Sequence, residues 1–344
     1  MAAAKAADVQ QHESRAIYSG LAAALAAFVI GYVTFGDQTS LFGFGSIGFR
    51  TALLVTVACF VIFYAVRHRE AEAKFVALGG WQKAGQVAEW LSLAAVYSIV
   101  GFLVTIGAFY VIDSGFVGLT LDPFSSALIA ALFVGIASYV MYLLAQSLSS
   151  VQLSGVLGVF LLSGGLASMI TAGDPQWWER HFSALGAGGG LSGYAFNGTL
   201  ILAGFAIAVL AGYISNDFAA IRQRNKRYQS VRVNIIRTTL VLIGVFLAFV
   251  GLFVYDAYPF LHNSSAGGMA VLFVGLVLGL PWIAPAFSRA FFVFSYLLMA
   301  ALVVSFWLYA GLGYFNLTVF ELIAVAIIFG WLTVFIRQVA AVAE

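Results

Sequence analysis

Residues 174–197 read DPQWWERHFSALGAGGGLSGYAFN and gather side chains equipped for chemistry. Asp174, Glu179 and His181 are proton donors and acceptors of the kind used in general acid–base work. Arg180 is a fork of donors suited to phosphate or carboxylate. Ser183 and Asn197 add a hydroxyl and an amide, and Trp177 and Trp178 offer flat faces that stack on a sugar or a head group. Farther along, Asp256, His262 and Glu321 lie beside apolar runs at positions that fall on the same side of a membrane. Together these residues form a candidate binding site for a lipid head group or a polar solute. The competing reading is plain: wet loop ends with local caps and ion pairs, and a tryptophan pair serving as an interfacial belt.

Several chemistries are excluded or ranked low by spacing. The glycines of GAGGG, residues 186–190, follow no strand and precede no Gly-Lys-Ser/Thr, so they do not make a nucleotide loop. They read instead as a place for tight turns. The four histidines, His12, His68, His181 and His262, show no metal-ligand spacing such as HxxxH, and no metal or cofactor is expected. No nucleophile–base spacing accompanies Asp174, Glu179 or His181, so an enzyme acting on lipid head groups ranks last and no catalytic residue is assigned. Ionisable groups deep in lipid are costly and usually functional. The apolar runs hold no Lys and no His, and Asp113, Asp256 and Glu321 sit near run ends. That pattern argues against a proton relay, a retinal Schiff base and a bis-histidine haem.

The elements that must position these residues follow from composition. Hydrophobic residues make up 62% of the chain and charged residues 9%, with a mean hydropathy of +1.01. Soluble domains carry about 25% charged residues, so the sequence predicts an all-α, polytopic membrane bundle. About 20 apolar residues cross the hydrocarbon. Ten stretches qualify: 17–36, 51–66, 91–112, 125–148, 151–172, 197–215, 235–255, 269–287, 290–312 and 317–336. Charge then sets direction. With both termini cytoplasmic, only Arg50 and Arg180 of the 16 Lys and Arg fall outside. Lys5, Arg15, Arg67, Arg69, Lys74, Lys83, Arg222, Arg224, Lys226, Arg227, Arg232, Arg237, Arg289 and Arg337 all fall inside, as the positive-inside rule requires. The candidate site therefore faces away from the cytoplasm, between the fifth and sixth spans.

Finer expectations accompany this frame. The first span reads as an uncleaved helix rather than a signal peptide. Residues 67–90 read as a solvated cytoplasmic linker anchored by Trp81 and Trp90, with an amphipathic surface helix as the alternative. Asn197 reads as the N-cap of the sixth span. Gly204, Ala208 and Gly212 on the sixth span, and Gly275 and Gly279 on the eighth, read as small faces for close helix packing. Pro281 and Pro285 interrupt the eighth span; a packing kink is the simple account, and a broken helix lining a cavity is the functional one. Asn197, Asn263 and Asn316 begin glycosylation sequons, which the Ala-rich, bacterial-looking composition makes coincidental. Cys59 is the single cysteine, so no intramolecular disulfide exists. No basic tail or patch points to nucleic acid.

HFSALG (181–186) followed by FNGTLILAG (196–204) resembles the signature of the membrane family called domain of unknown function 998, near the DRAM-like group. Ser183, Leu185, Gly186, Phe196, Asn197 and Gly204 carry the resemblance, which covers about residues 151–340. It implies a six-helix domain at 151–344, preceded by a four-helix extension at 1–150, and no established reaction. The leading functional expectation is a lipid- or solute-handling protein of a bacterial plasma membrane, a permease or head-group binder with membrane lipids as partners. The alternative is a structural or accessory subunit of a larger membrane complex with protein partners. The topology is directly testable: an impermeant maleimide added from outside labels a His181→Cys variant and spares an Arg224→Cys variant, and the reverse pattern inverts the whole arrangement.

Overall fold

The computed structural model describes residues 2–188, 190–224 and 230–343. Of the basic residues counted above, Lys226 and Arg227 lie outside the described residues, and only the backbone of Lys5, Lys74 and Arg224 is described. Among the described residues, ten helices are long and apolar enough to cross a membrane, so the chain is a multi-pass helical membrane protein. They divide into two compact units, residues 1–148 and 149–344.

The first unit comprises α1 (Ala2–Thr34), α2 (Ile47–Val76), α3 (Gly80–Gly115) and α4 (Pro123–Gln146). Two short strands, β1 (Thr39–Ser40) and β2 (Thr120–Leu121), pair antiparallel beside the ends of α1 and α4. α4 starts where Asp122 accepts hydrogen bonds from the backbone of Phe124 and Ser125, with a proline at the first helical position. Helix ends elsewhere are closed by arginines. The Arg50 guanidinium donates to the Thr34 carbonyl at the end of α1, and Arg67 donates to the Ala145 carbonyl of α4 at 3.2 Å. Cations at helix C-termini are stabilising, so Arg50 has a structural task.

Residues 67–90 correct the expectation of a linker. α2 continues to Val76 and α3 begins at Gly80, so the segment is a helical hairpin with a three-residue connection, 77–79. Trp90 is not an interfacial anchor: it is fully buried, with ring centroids 5.2 Å from Phe75, 5.8 Å from His68 and 6.0 Å from Tyr64. Trp81 does lie exposed. Aromatic packing between the two helical extensions outweighs the polar character that suggested a loop.

The second unit comprises α5 (Ser150–Ile170), a four-residue α6 (Ala184–Ala187), α7 (Leu191–Arg224), α8 (Ser230–Leu252), α9 (Pro259–Ile283), α10 (Arg289–Ala310) and α11 (Leu317–Ala343). α7 is central, touching α5, α6, α8 and α11. Its approach to α8 depends on missing side chains: a Cβ on Gly204 would lie 2.3 Å from the Gly244 carbonyl oxygen, and one on Gly244 would lie 2.5 Å from that of Gly204. Lipid gives packed helices no hydrophobic advantage over separated ones, so such backbone contact is a principal source of association. The expectation for the sixth span holds at Gly204. It fails at Gly212 and Gly275, where an added Cβ meets nothing within 4 Å, and at Gly279, where it meets only Ile283 of the same helix.

α9 also departs from expectation. It begins at Pro259, ten residues before the predicted start, and ends at Ile283. Pro259 occupies the first turn, where its missing N–H costs nothing. The polar-looking HNSSAGG then continues the helix, with Ser265 bonded back to the Leu261 carbonyl at 2.8 Å. Pro281 sits in the last turn and Pro285 just beyond it, so the prolines terminate the helix rather than break it at mid-membrane. That removes the pointer to a cavity.

The glycine contact at Gly204 yields a contrast. Gly204→Ala overpacks α7 against α8 and is expected to cost about 1–3 kcal/mol, lowering the thermal midpoint in detergent. Gly212→Ala meets open space and leaves the midpoint unchanged or slightly raised, as alanine favours the helix. Equal midpoints for the two variants would contradict the packing argument.

Candidate functional site

The segment between α5 and α7 is a folded cap. Asp174 starts it by accepting the Gln176 N–H at 2.9 Å, an Asx turn. Trp177–Glu179 form one 3-10 turn, and α6 follows after Ser183. The chain then bends back into α7 through Gly190, whose φ of +87° suits glycine. The α7 backbone returns so close that a Cβ on Gly193 would lie 2.2 Å from the Gly188 carbonyl oxygen. Gly190 and Gly193 serve this bend.

Irregular backbone beside the hydrocarbon needs hydrogen-bond partners, and side chains from α7, from α11 and from Asn316 just before α11 supply them. Asn197 donates to the Gly186 carbonyl at 2.9 Å. Ser192 donates to the Leu185 carbonyl at 3.3 Å and exchanges hydrogen bonds with Ser168 of α5. Glu321 of α11 accepts the Phe182 N–H at 2.5 Å. Asn316 donates to the Trp178 carbonyl at 2.7 Å while accepting the Val319 N–H, thus capping α11 and holding the loop together. Asn197 is therefore not an N-cap: α7 starts at Leu191, and Asn197 lies inside the helix, turned toward the loop. Its amide, like that of Asn316, is engaged with backbone.

His262 of α9 reaches the same loop. Its Nε2 is 3.1 Å from Ser183 Oγ, and its Nδ1 is 2.8 Å from the Phe253 carbonyl oxygen. Both side chains are buried, Ser183 at 8% and His262 at 4% exposure. A carbonyl accepts and cannot donate, so Nδ1 carries the proton, Nε2 is the acceptor, and the Ser183 hydroxyl donates. The ring of Tyr255 lies edge-on to His262 at 5.6 Å and against His181 at 4.3 Å. His181 is half-buried, and its Nδ1 is buried with no partner. Burial pushes its pKa below the ordinary 6.5, Arg180 and His262 push the same way, and Asp256 opposes them, a balance that favours the uncharged ring.

Two groups of predicted residues thus separate. Ser183, Asn197, His181, His262 and Glu321 converge on the loop. Asp174, Trp178, Glu179, Arg180 and Asp256 stay exposed, and Trp177 is partly covered, 6.2 Å from Phe182. The Asp174–Arg180 ion pair spans 3.0 Å with each side chain 51% exposed, a setting in which such pairs contribute little. No group of three His, Cys, Asp or Glu placed to hold a metal occurs among the described residues. Two grooves lie away from this loop: one of about 370 Å³ along Val231, Asn234, Ile235, Thr238 and Thr239 of α8, and one of about 190 Å³ lined by Ser19, Ile62, Ala65, Val66, Arg69, Glu70 and Tyr142.

The sequence did not single out Tyr255, the Phe253 carbonyl, Ser168, Ser192 or a capping role for Asn316. Only Asn316 left a local signal, an Asn directly before an apolar run. The Asn197 contact predicts its own test. Asn197→Leu leaves the Gly186 carbonyl without its donor, at a cost of about 1–3 kcal/mol. The expected result is a lower thermal midpoint and faster proteolysis within 174–190; wild-type values for both would show the contact to be dispensable.

In comparisons with protein-family models, with curated proteins and with solved structures, nothing matches this chain.

Proposed function

We propose that this multi-pass membrane protein binds a lipid head group or a similar polar solute on the loop 174–190, at the face turned away from the cytoplasm. The observation that carries this reading is the pinning of that loop. Side chains from α7 and α11, with Asn316 just before α11, hold its backbone, and His262 of α9 holds the Ser183 hydroxyl, while Trp178 and Arg180 remain exposed at its outer edge. A held edge carrying an aromatic face and a guanidinium is preorganised for a ligand that is part anion and part apolar. The edge is an open surface, which favours a head-group binder over a permease.

Kinship with the family called domain of unknown function 998 belongs to the same proposal, as does residence in a bacterial plasma membrane. What supports the kinship is that the residues carrying the resemblance touch one another. Asn197 bonds Gly186, and Phe196 packs edge-on to Phe182, within HFSALG, at 5.1 Å.

An accessory role is the second reading, and α10 favours it. Of its 22 residues only Phe291, Ser295 and Ser305 are buried within the unit, leaving most of its length to face lipid or a partner helix.

Purification in mild detergent, followed by mass spectrometry of bound lipids and co-purifying proteins, tests both. The binding reading expects one lipid class enriched over the bulk membrane, with retention lost in a Trp178→Ala, Arg180→Ala double variant. Protein that is clean of any enriched lipid sinks the first reading. A stable preparation without stoichiometric partners sinks the second.

A further inference from the structure

We propose that Ser183 and His262 are a nucleophile–base pair for acyl transfer from a lipid ester; the choice of a lipid rests on the head-group reading above, and the pair itself does not. Nucleophilic serine catalysis requires a hydroxyl within hydrogen-bond reach of a base that a third group orients. All three parts are present: Ser183 Oγ, His262 Nε2 at 3.1 Å, and the Phe253 carbonyl at 2.8 Å from Nδ1. The carbonyl fixes the tautomer in which Nε2 is free to take a proton, the role filled by a carboxylate in better-known triads. Tyr255, packed edge-on, holds the imidazole plane. Ser183 and His262 are 79 residues apart, so no local sequence pattern shows the pair.

The chemistry balances with water as the only co-reactant. Ser183 Oγ bonds to the ester carbonyl carbon as its proton passes to His262 Nε2. Collapse of the tetrahedral intermediate breaks the bond to the alkoxy oxygen, which takes the proton from Nε2 and leaves as an alcohol. Water attacks the acyl-serine by the same route, its proton passing through Nε2 to Ser183 Oγ, and releases a carboxylic acid. The backbone N–H groups of Ala184, Leu185 and Gly186 are engaged in the turns that follow His181. His181 stands two residues before the nucleophile with a buried, unpartnered Nδ1, and it is the group assigned to the developing oxyanion. Phe182, the residue before the nucleophile, packs with Trp177 at 6.2 Å and with Phe196 at 5.1 Å, and this aromatic cluster is the side the proposal assigns to an acyl chain.

The test uses the full-length protein in detergent with an alkyl fluorophosphonate, which traps activated serines, and peptide mass spectrometry to locate the adduct. The expected result is an adduct on Ser183 in the wild type, absent in Ser183→Ala, and formed at least about 100-fold more slowly in His262→Gln, the scale of a lost general base. If His262→Gln lowers the thermal midpoint, the wild-type rate decides instead: it must fall on acidification, because a protonated base cannot take the serine proton. A wild type with no adduct on Ser183 overturns the proposal, as does a labelling rate indifferent to both His262 and pH. Lipid enrichment without labelling would leave the binding reading standing and this one refuted, whereas labelling and hydrolysis of a water-soluble ester without lipid enrichment would do the opposite.

Discussion

Backbone N–H and C=O groups cannot be left unpaired beside hydrocarbon, and this constraint organises the protein. Ten helices satisfy it internally along their lengths. The difficulty moves to their ends and to any chain that is not helical, and the few polar side chains are used there. Arg50 and Arg67 close carbonyls at the ends of α1 and α4, and Asp122 closes amides at the start of α4. In the second unit the non-helical chain between α5 and α7 is the largest such burden. Asn197, Ser192, Glu321 and Asn316 each hold one of its backbone groups. In an aqueous protein water would satisfy many of these groups.

The same constraint explains why glycine matters at particular crossings. Once backbone groups are paired within helices, helices in lipid gain by approaching until backbone meets backbone. Gly204 and Gly244 achieve this between α7 and α8, and Gly20 and Gly135 do so between α1 and α4. α7 can then serve as the post against which the outer loop folds, with Ser192 and Asn197 on its first turns facing that loop. α10, which has few buried residues, contributes least to this core.

Polar residues in such a chain have two possible meanings, and geometry separates them. Glu321 and Asn197 act on backbone, and a structural role accounts for them fully. The Ser183–His262 contact is different in kind. It joins two side chains whose orientation also suits proton transfer, and it sits near the His181 imidazole, whose pKa burial lowers. A hydroxyl could bond a carbonyl as well as an imidazole, so stability alone does not account for the choice of partner.

The sequence by itself determined the class, the number of membrane helices and their approximate limits. Those depend on local quantities: about 20 apolar residues per crossing and the scarcity of charge between them. Local reading failed where a helix outlasts its apolar core. Residues 67–76 and 80–90 and the first turns of α7 and α9 look polar one residue at a time, yet they are helical, with Phe75, Trp90, Asn197 and His262 finding partners elsewhere in the same unit. Which polar residues meet was decided only in three dimensions. Ser183 and His262 are separated by 79 residues, and Phe182 and Glu321 by 139. No spacing rule reaches that far, since helical and strand periods relate only near neighbours. Their meeting follows from how α9 packs on α8 and how α11 packs on α5 and α7, and packing is a property of the folded chain.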